Sequence, residues 1–160
     1  MQPKPPVVLA SIDLHKRSAM ILEHALDFAV GQGADVVHVI FVTEPNLANV
    51  KPPDDLEAPE LTGVDHAKLQ AFAEAQRDAL CARNPECNPP RIEIHTAMGD
   101  PAAKIVETAA DLDADLIVLA THGRRGLKHF LMGSVSEKVV RTAGCPVMVL
   151  REKAHGQAKG

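Results

Sequence analysis

The stretch Leu116 to Glu137, LIVLATHGRRGLKHFLMGSVSE, constrains the fold more than any other part of the chain. Leu116 to Ala120 is an unbroken apolar run of strand length, the pattern of a strand buried between two covered sheet faces. It runs into Thr121-His122-Gly123, and after nine intervening residues come Gly133 and Ser134, followed by Val135, Ser136 and Glu137. These last residues read as the first turn of an amphipathic helix. Small residues at both ends of the loop let a ligand approach main-chain N–H groups, and the unpaired donors and dipole of a helix start favour an anion. The stretch therefore predicts a phosphate-binding cradle.

The flanking chain extends the same alternation. Val7 to Ile12 is apolar and closes on Asp13, a buried strand with a carboxylate at its C-terminal end. After Ser18, residues Ile21, Leu22, Ala25, Leu26, Ala29 and Val30 recur at helical spacing until Gly31 and Gly33, and Val36 to Val42 is the next apolar run. Asp65 to Arg83 returns to helix, with Leu69, Phe72, Ala73 and Leu80 near one stripe. Arg91 to Ala97 alternates apolar with polar residues, as a one-sided strand at a sheet edge does. Gly99-Asp100-Pro101 supplies a turn glycine, an N-cap and a first-turn proline for a helix that faces the core with Ile105, Val106, Ala109 and Leu112. Ser134 and Glu137 match a capping box for a helix that ends near Gly144, and Val147 to Leu150 make the last strand.

Five strands alternating with four helices predict an α/β fold, an open parallel sheet with helices on both faces, spanning residues 1–152 as a single domain. Glu44 to Val64 has no periodicity and is expected to be a flexible loop or lid; 153–160 is expected to be a disordered tail. Open α/β sheets bind ligands outside the carboxyl ends of their strands, at a topological switch point. Should the first and fourth strands be neighbours, Asp13 and the Ala120 to Gly123 loop line one crevice.

Composition narrows the function. A length of 160 residues with 46% hydrophobic content supports a core without metal or disulfide staples. A net charge of −4, a pI near 6 and the absence of Trp and Tyr argue against nucleic acid and anionic membrane as partners. No basic leader with an apolar run behind it opens the chain, and no window reaches the roughly 18 apolar residues of a membrane span. A cytoplasmic protein is expected. Cys81, Cys87 and Cys145 form no CxxC or zinc pattern and are expected to be reduced thiols. No metal-ligating and no catalytic residue is expected: His122 and His129 lack a neighbouring carboxylate to orient them, and no Gly-x-x-x-x-Gly-Lys-Ser/Thr loop is present. Arg124, Arg125, Lys128 and His129 suit contacts to a polyphosphate, and equally a solvated loop face. Ser134 serves a helix cap with or without a ligand.

The register Ala120-Thr121-His122-Gly123, then RRGLKHFLM, then Gly133-Ser134 resembles the glycine motif of nucleotide-binding members of the universal stress protein family. Asp13, Val42, Gly99-Asp100-Pro101 and Cys145-Pro146-Val147 are similar to the family in the same way. Two positions depart from it: Ala120 stands at the first motif glycine, and His15 at the serine usual two residues after the aspartate. The resemblance implies a Rossmann-like sheet of the adenine nucleotide alpha hydrolase type, with strand order 3-2-1-4-5. It implies ATP, or else AMP or ADP, bound with Mg, and a regulatory role in stress response. Asp13 and Val42 would hold adenine, while Gly123, Gly133 and Ser134 would hold ribose and phosphates. Ser11, Ile12, Leu119, Ala120, His122, Arg124, Val135 and Ser136 complete the expected set. The family also implies a homodimer paired through Val147 to Leu150. Two alternatives stay open: a dimeric scaffold of the same fold that holds no nucleotide, and a weak ATP hydrolase.

Overall fold

The computed structural model describes residues 3–13, 17–44, 65–121 and 134–151. The strands are β1 (Val8–Ile12), β2 (Val36–Thr43), β3 (Arg91–Met98), β4 (Leu116–Ala120) and β5 (Val147–Leu150). The helices between them are α1 (Arg17–Gln32), α2 (His66–Ala82), α3 (Pro101–Asp111) and α4 (Ser134–Thr142). The strands form one parallel sheet of order β3-β2-β1-β4-β5.

Alternation along the central strands builds two cores. Val8, Ala10 and Ile12 of β1 share one face with Val37, Val39 and Phe41 of β2 and with Leu116, Val118 and Ala120 of β4; α1 and α2 cover it with Ile21, Leu22, Leu26, Leu69 and Ala73. Leu9, Ile40, Ile117 and Leu119 point the other way, beneath Ala102, Ile105 and Ala109 of α3 and Val139 of α4. Apolar residues are thus required on both faces wherever both are covered, which is why β4 reads as an unbroken apolar segment and β1 as one broken only by Ser11. β3, at one edge, alternates as expected, with Ile92 buried and its neighbours Arg91 and Glu93 exposed.

Local signals set the helix ends. Asp65 caps α2 by accepting from the Ala67 and Lys68 N–H groups, and Asp100 caps α3 by accepting from Ala103, with Pro101 in the first turn. α1 runs through Gly31 and stops at Gly33, whose φ of +68° breaks the helix. Ser18 does not precede that helix: α1 begins at Arg17, and the buried Ser18 hydroxyl turns back to Asp13, donating to its carbonyl oxygen.

The cysteine expectation needs correction. Cys81 and Cys87 are joined by a disulfide, and only Cys145 is a free thiol. The chain turns tightly after α2, with the Asn84 N–H donating to the Cys81 carbonyl and the Cys87 N–H to the Asn84 carbonyl, and this brings the two Cα atoms to 5.2 Å. That is inside the range a disulfide spans. The loop from residue 45 to 64, the tail from residue 152, and His15 lie outside the described residues.

Candidate functional site

β1 pairs with β2 on one side and with β4 on the other, so the strand order reverses at β1, the topological switch point at whose carboxyl end open α/β sheets bind ligands. The register Ala10↔Val118 leaves each strand two residues to run, to Ile12 and Ala120, before Asp13 and Thr121 emerge together.

Arg17 ties these two ends. Its Nη1 donates to the Thr121 carbonyl oxygen at 2.7 Å and its Nη2 lies 3.4 Å from Asp13 Oδ2, with the guanidinium side chain only 10% exposed. On the other side of the carboxylate, the Ser18 hydroxyl lies 3.3 Å from Asp13 Oδ1 and accepts from the Asp13 N–H. Asp13 is therefore held in one orientation by an arginine and a hydroxyl.

A second part of the same margin lies above β2 and β3. The Gly99 N–H donates to the Thr43 carbonyl and brings the start of α3 beside the end of β2. Glu44, Gly99, Asp100, Pro101 and Ala102 then line a cavity of about 440 Å³ with Ser134, Val135 and Lys138 of α4. Lys138 Nζ closes one side, 3.7 Å from Asp100 Oδ1. The volume lies within the ordinary range of small-molecule pockets. The first turns of α3 and α4 both open onto it, and both helix starts favour negative charge. Glu137, expected to reach back to Ser134, has its Oε1 2.8 Å from Arg141 on the next turn.

The expected site residues fall into three groups. Asp13, Ser134 and Val135 stand at this margin, with Val42 half-buried on β2 just before it. Ile12, Leu119, Ala120 and Ser136 are buried, and Ser11 is half-buried within β1, so what they can offer a ligand is main chain. The Ala120 methyl packs into the core beneath α1, so replacing the motif glycine takes up core space. His122, Gly123, Arg124 and Gly133 lie outside the described residues. Arg17 escaped sequence analysis. Its i,i+4 spacing from Asp13 was the one available signal, because its partner Thr121 is 104 residues away.

An open parallel α/β sheet of order β3-β2-β1-β4-β5 places the chain in the doubly wound, Rossmann-like class of folds. A model of the universal stress protein family matches residues 6–151, and the chain belongs to that family. The universal stress protein A homolog 1 of Coxiella burnetii is 30% identical over 145 residues, covering 89% of this chain and 94% of that protein. A Methanocaldococcus jannaschii universal stress protein is 49% identical over 63 residues, 38% of this chain and 37% of that one, and the chain spans 47% of the length of a Mycobacterium tuberculosis universal stress protein to which it is 31% identical over 154 residues. Among solved structures, a universal stress protein in complex with cAMP superposes with a TM-score of 0.65 at 20% identity, covering 92% of this chain and 98% of that one. The Archaeoglobus fulgidus universal stress protein in complex with dAMP gives 0.55 at 20% identity, covering 91% and 97%. At that identity the likeness establishes the fold alone.

Proposed function

We propose that this chain binds an adenine nucleotide, ATP in the first instance and AMP or ADP otherwise, at the carboxyl margin of β1, β2 and β4, and that occupancy regulates a stress response. The observation that carries the proposal is the Arg17 bridge between Asp13 and Thr121, which ties two strand ends distant in sequence at one switch point. Asp13 accepts from the base or ribose, and Val42 supplies an apolar wall. Ser134 and the N–H groups of Val135 and Ser136 at the start of α4 receive the phosphates, and His122, Gly123, Arg124 and Gly133 complete the cradle. Mg accompanies the polyphosphate of ATP. Relatives of the same fold solved with cAMP and dAMP support an adenine ligand. The role is binding rather than turnover, in the cytoplasm.

Extraction of purified protein with acid, followed by chromatography of the released nucleotide, tests this reading together with calorimetric titration of ATP and Mg. Released ATP, or a saturable heat that weakens in Asp13→Ala and Gly133→Val, supports it. Neither signal in a folded protein removes it.

The second reading, a dimeric scaffold, is favoured by β5. Its four residues Val147, Met148, Val149 and Leu150 are all apolar and only half-buried, and the strand pairs with β4 on one side alone. Pairing with the same strand of a second copy would bury both edges. Dimerisation through β5 is compatible with nucleotide binding and is part of the proposal.

A further inference from the structure

The interior of β2 contains one residue that the nucleotide reading leaves unused. In VVHVIFVT, His38 is 6% exposed in a strand otherwise built of Val, Ile, Phe and Thr. A buried imidazole at such a position is costly unless its ring nitrogens are engaged. The β2–β3 register supplies the partners: His38 stands opposite Glu93 and Ile40 opposite His95, so His38, Glu93 and His95 share one face. His38 Nδ1 is 2.9 Å from His95 Nε2 and 3.4 Å from Glu93 Oε2, and one donor atom from each residue falls within 4.8 Å of the other two.

Two donors bound about 2.0–2.1 Å from one ion at the tetrahedral angle stand about 3.3 Å apart. The two separations from His38 Nδ1, 2.9 Å to His95 and 3.4 Å to Glu93, bracket that figure. Two neutral imidazole nitrogens at contact distance must share a proton, and a divalent ion in place of that proton satisfies both lone pairs together with the carboxylate. The ligand types, two imidazoles and one carboxylate, suit a borderline metal such as zinc and not magnesium or calcium, which prefer oxygen alone. The Glu93 side chain is 47% exposed, which leaves a route for the ion and a fourth position for water.

We propose that His38, Glu93 and His95 form a zinc-binding site on the β2–β3 face, away from the β1–β4 crevice and independent of nucleotide. When bound, zinc links the edge strand to its neighbour through side chains as well as the ladder. The alternative for the same cluster is a polar blunting of the sheet edge without affinity for metal.

The test is calorimetric titration of zinc chloride into the chelator-stripped full chain, with Glu93→Gln, His95→Ala and the distant His24→Ala beside it. The expected result is saturable binding that weakens about tenfold or more in Glu93→Gln and His95→Ala and is unchanged in His24→Ala. In the unaltered protein, zinc should also shift the nitrogen resonances of His38 Nδ1 and His95 Nε2, a readout that holds even if His95→Ala fails to fold. No saturable binding, equal binding in the folded Glu93→Gln variant, or shifts confined to other histidines would overturn the proposal.

Discussion

β1 and β3 are parallel strands of one sheet, separated only by β2, yet they place polar chemistry in different positions. β1 is apolar along nearly its whole length and carries its carboxylate just past its last residue, at Asp13. β3 is charged or polar at Arg91, Glu93 and His95, alternating with Ile92 and Ile94, and so carries Glu93 and His95 in mid-strand. The cause is coverage. A central strand packed beneath helices on both faces can display functional groups only where it leaves the sheet, whereas an edge strand can display them along a face. The two proposed sites differ accordingly: one stands at strand ends beside helix starts, and the other on a strand face, built from register.

The largest expected effect breaks this contrast at the core. Leu9→Ala removes a fully buried side chain from β1 and should cost about 2–5 kcal/mol by urea denaturation. Ile94→Ala on the half-buried edge should cost roughly half as much or less. Equal losses would mean that the edge strand is covered as thoroughly as the centre. Next comes the bridge at the strand ends. Arg17→Met leaves the Thr121 carbonyl and the Asp13 carboxylate short of a partner and should cost about 1–3 kcal/mol. It should also weaken ATP binding by calorimetry if the crevice is the nucleotide site. Arg17→Lys should recover only part of both, because an ammonium cannot reproduce the two-pronged geometry of a guanidinium.

A smaller effect belongs to the strand face. Burial holds both His38 and His95 below the ordinary histidine value; Glu93 opposes this for both, His95 and Arg91 reinforce it for His38, and His66 reinforces it for His95. The unfolded chain therefore takes up protons first as the pH falls. The stability contributed by the neutral pair is fully present above about pH 6.5 and is lost as the pH drops from there toward the lower folded values. Denaturation midpoints measured in metal-free buffer should fall over that interval, and His95→Ala should flatten the dependence. The smallest change in fold stability is expected of Val149→Lys on β5, about 0.5 kcal/mol or less. That variant should nonetheless shift the protein from dimer to monomer in analytical ultracentrifugation, and an unchanged dimer would place the interface elsewhere.

The fold was largely legible in the sequence because coverage writes itself into hydrophobic pattern. The apolar runs ending at Ile12 and Ala120, the alternation from Arg91, and the Gly99-Asp100-Pro101 turn each located an element within about two residues of where it lies. What escaped depends on contacts between distant segments. Arg17 stands at the start of α1, and only the pairing of β1 with β4 brings Thr121 to its guanidinium. Ser18 has the composition of a helix cap, yet it serves Asp13 from inside the first turn. His38 and His95 are 57 residues apart, and their meeting depends on a register that neither strand specifies alone. The Cys81–Cys87 bond likewise required the turn at Asn84, which closes a spacing too short to suggest a conventional disulfide framework.

The most direct test of nucleotide binding at the strand ends is an amide ¹H–¹⁵N titration of the labelled protein with ATP and Mg. The amides of Asp13, Thr121, Ser134, Val135 and Ser136 should move together along one saturable curve, while those of Glu93 to His95 stay in place. Shifts confined to β3 or β5, or none at all at high ATP concentration, would contradict the account.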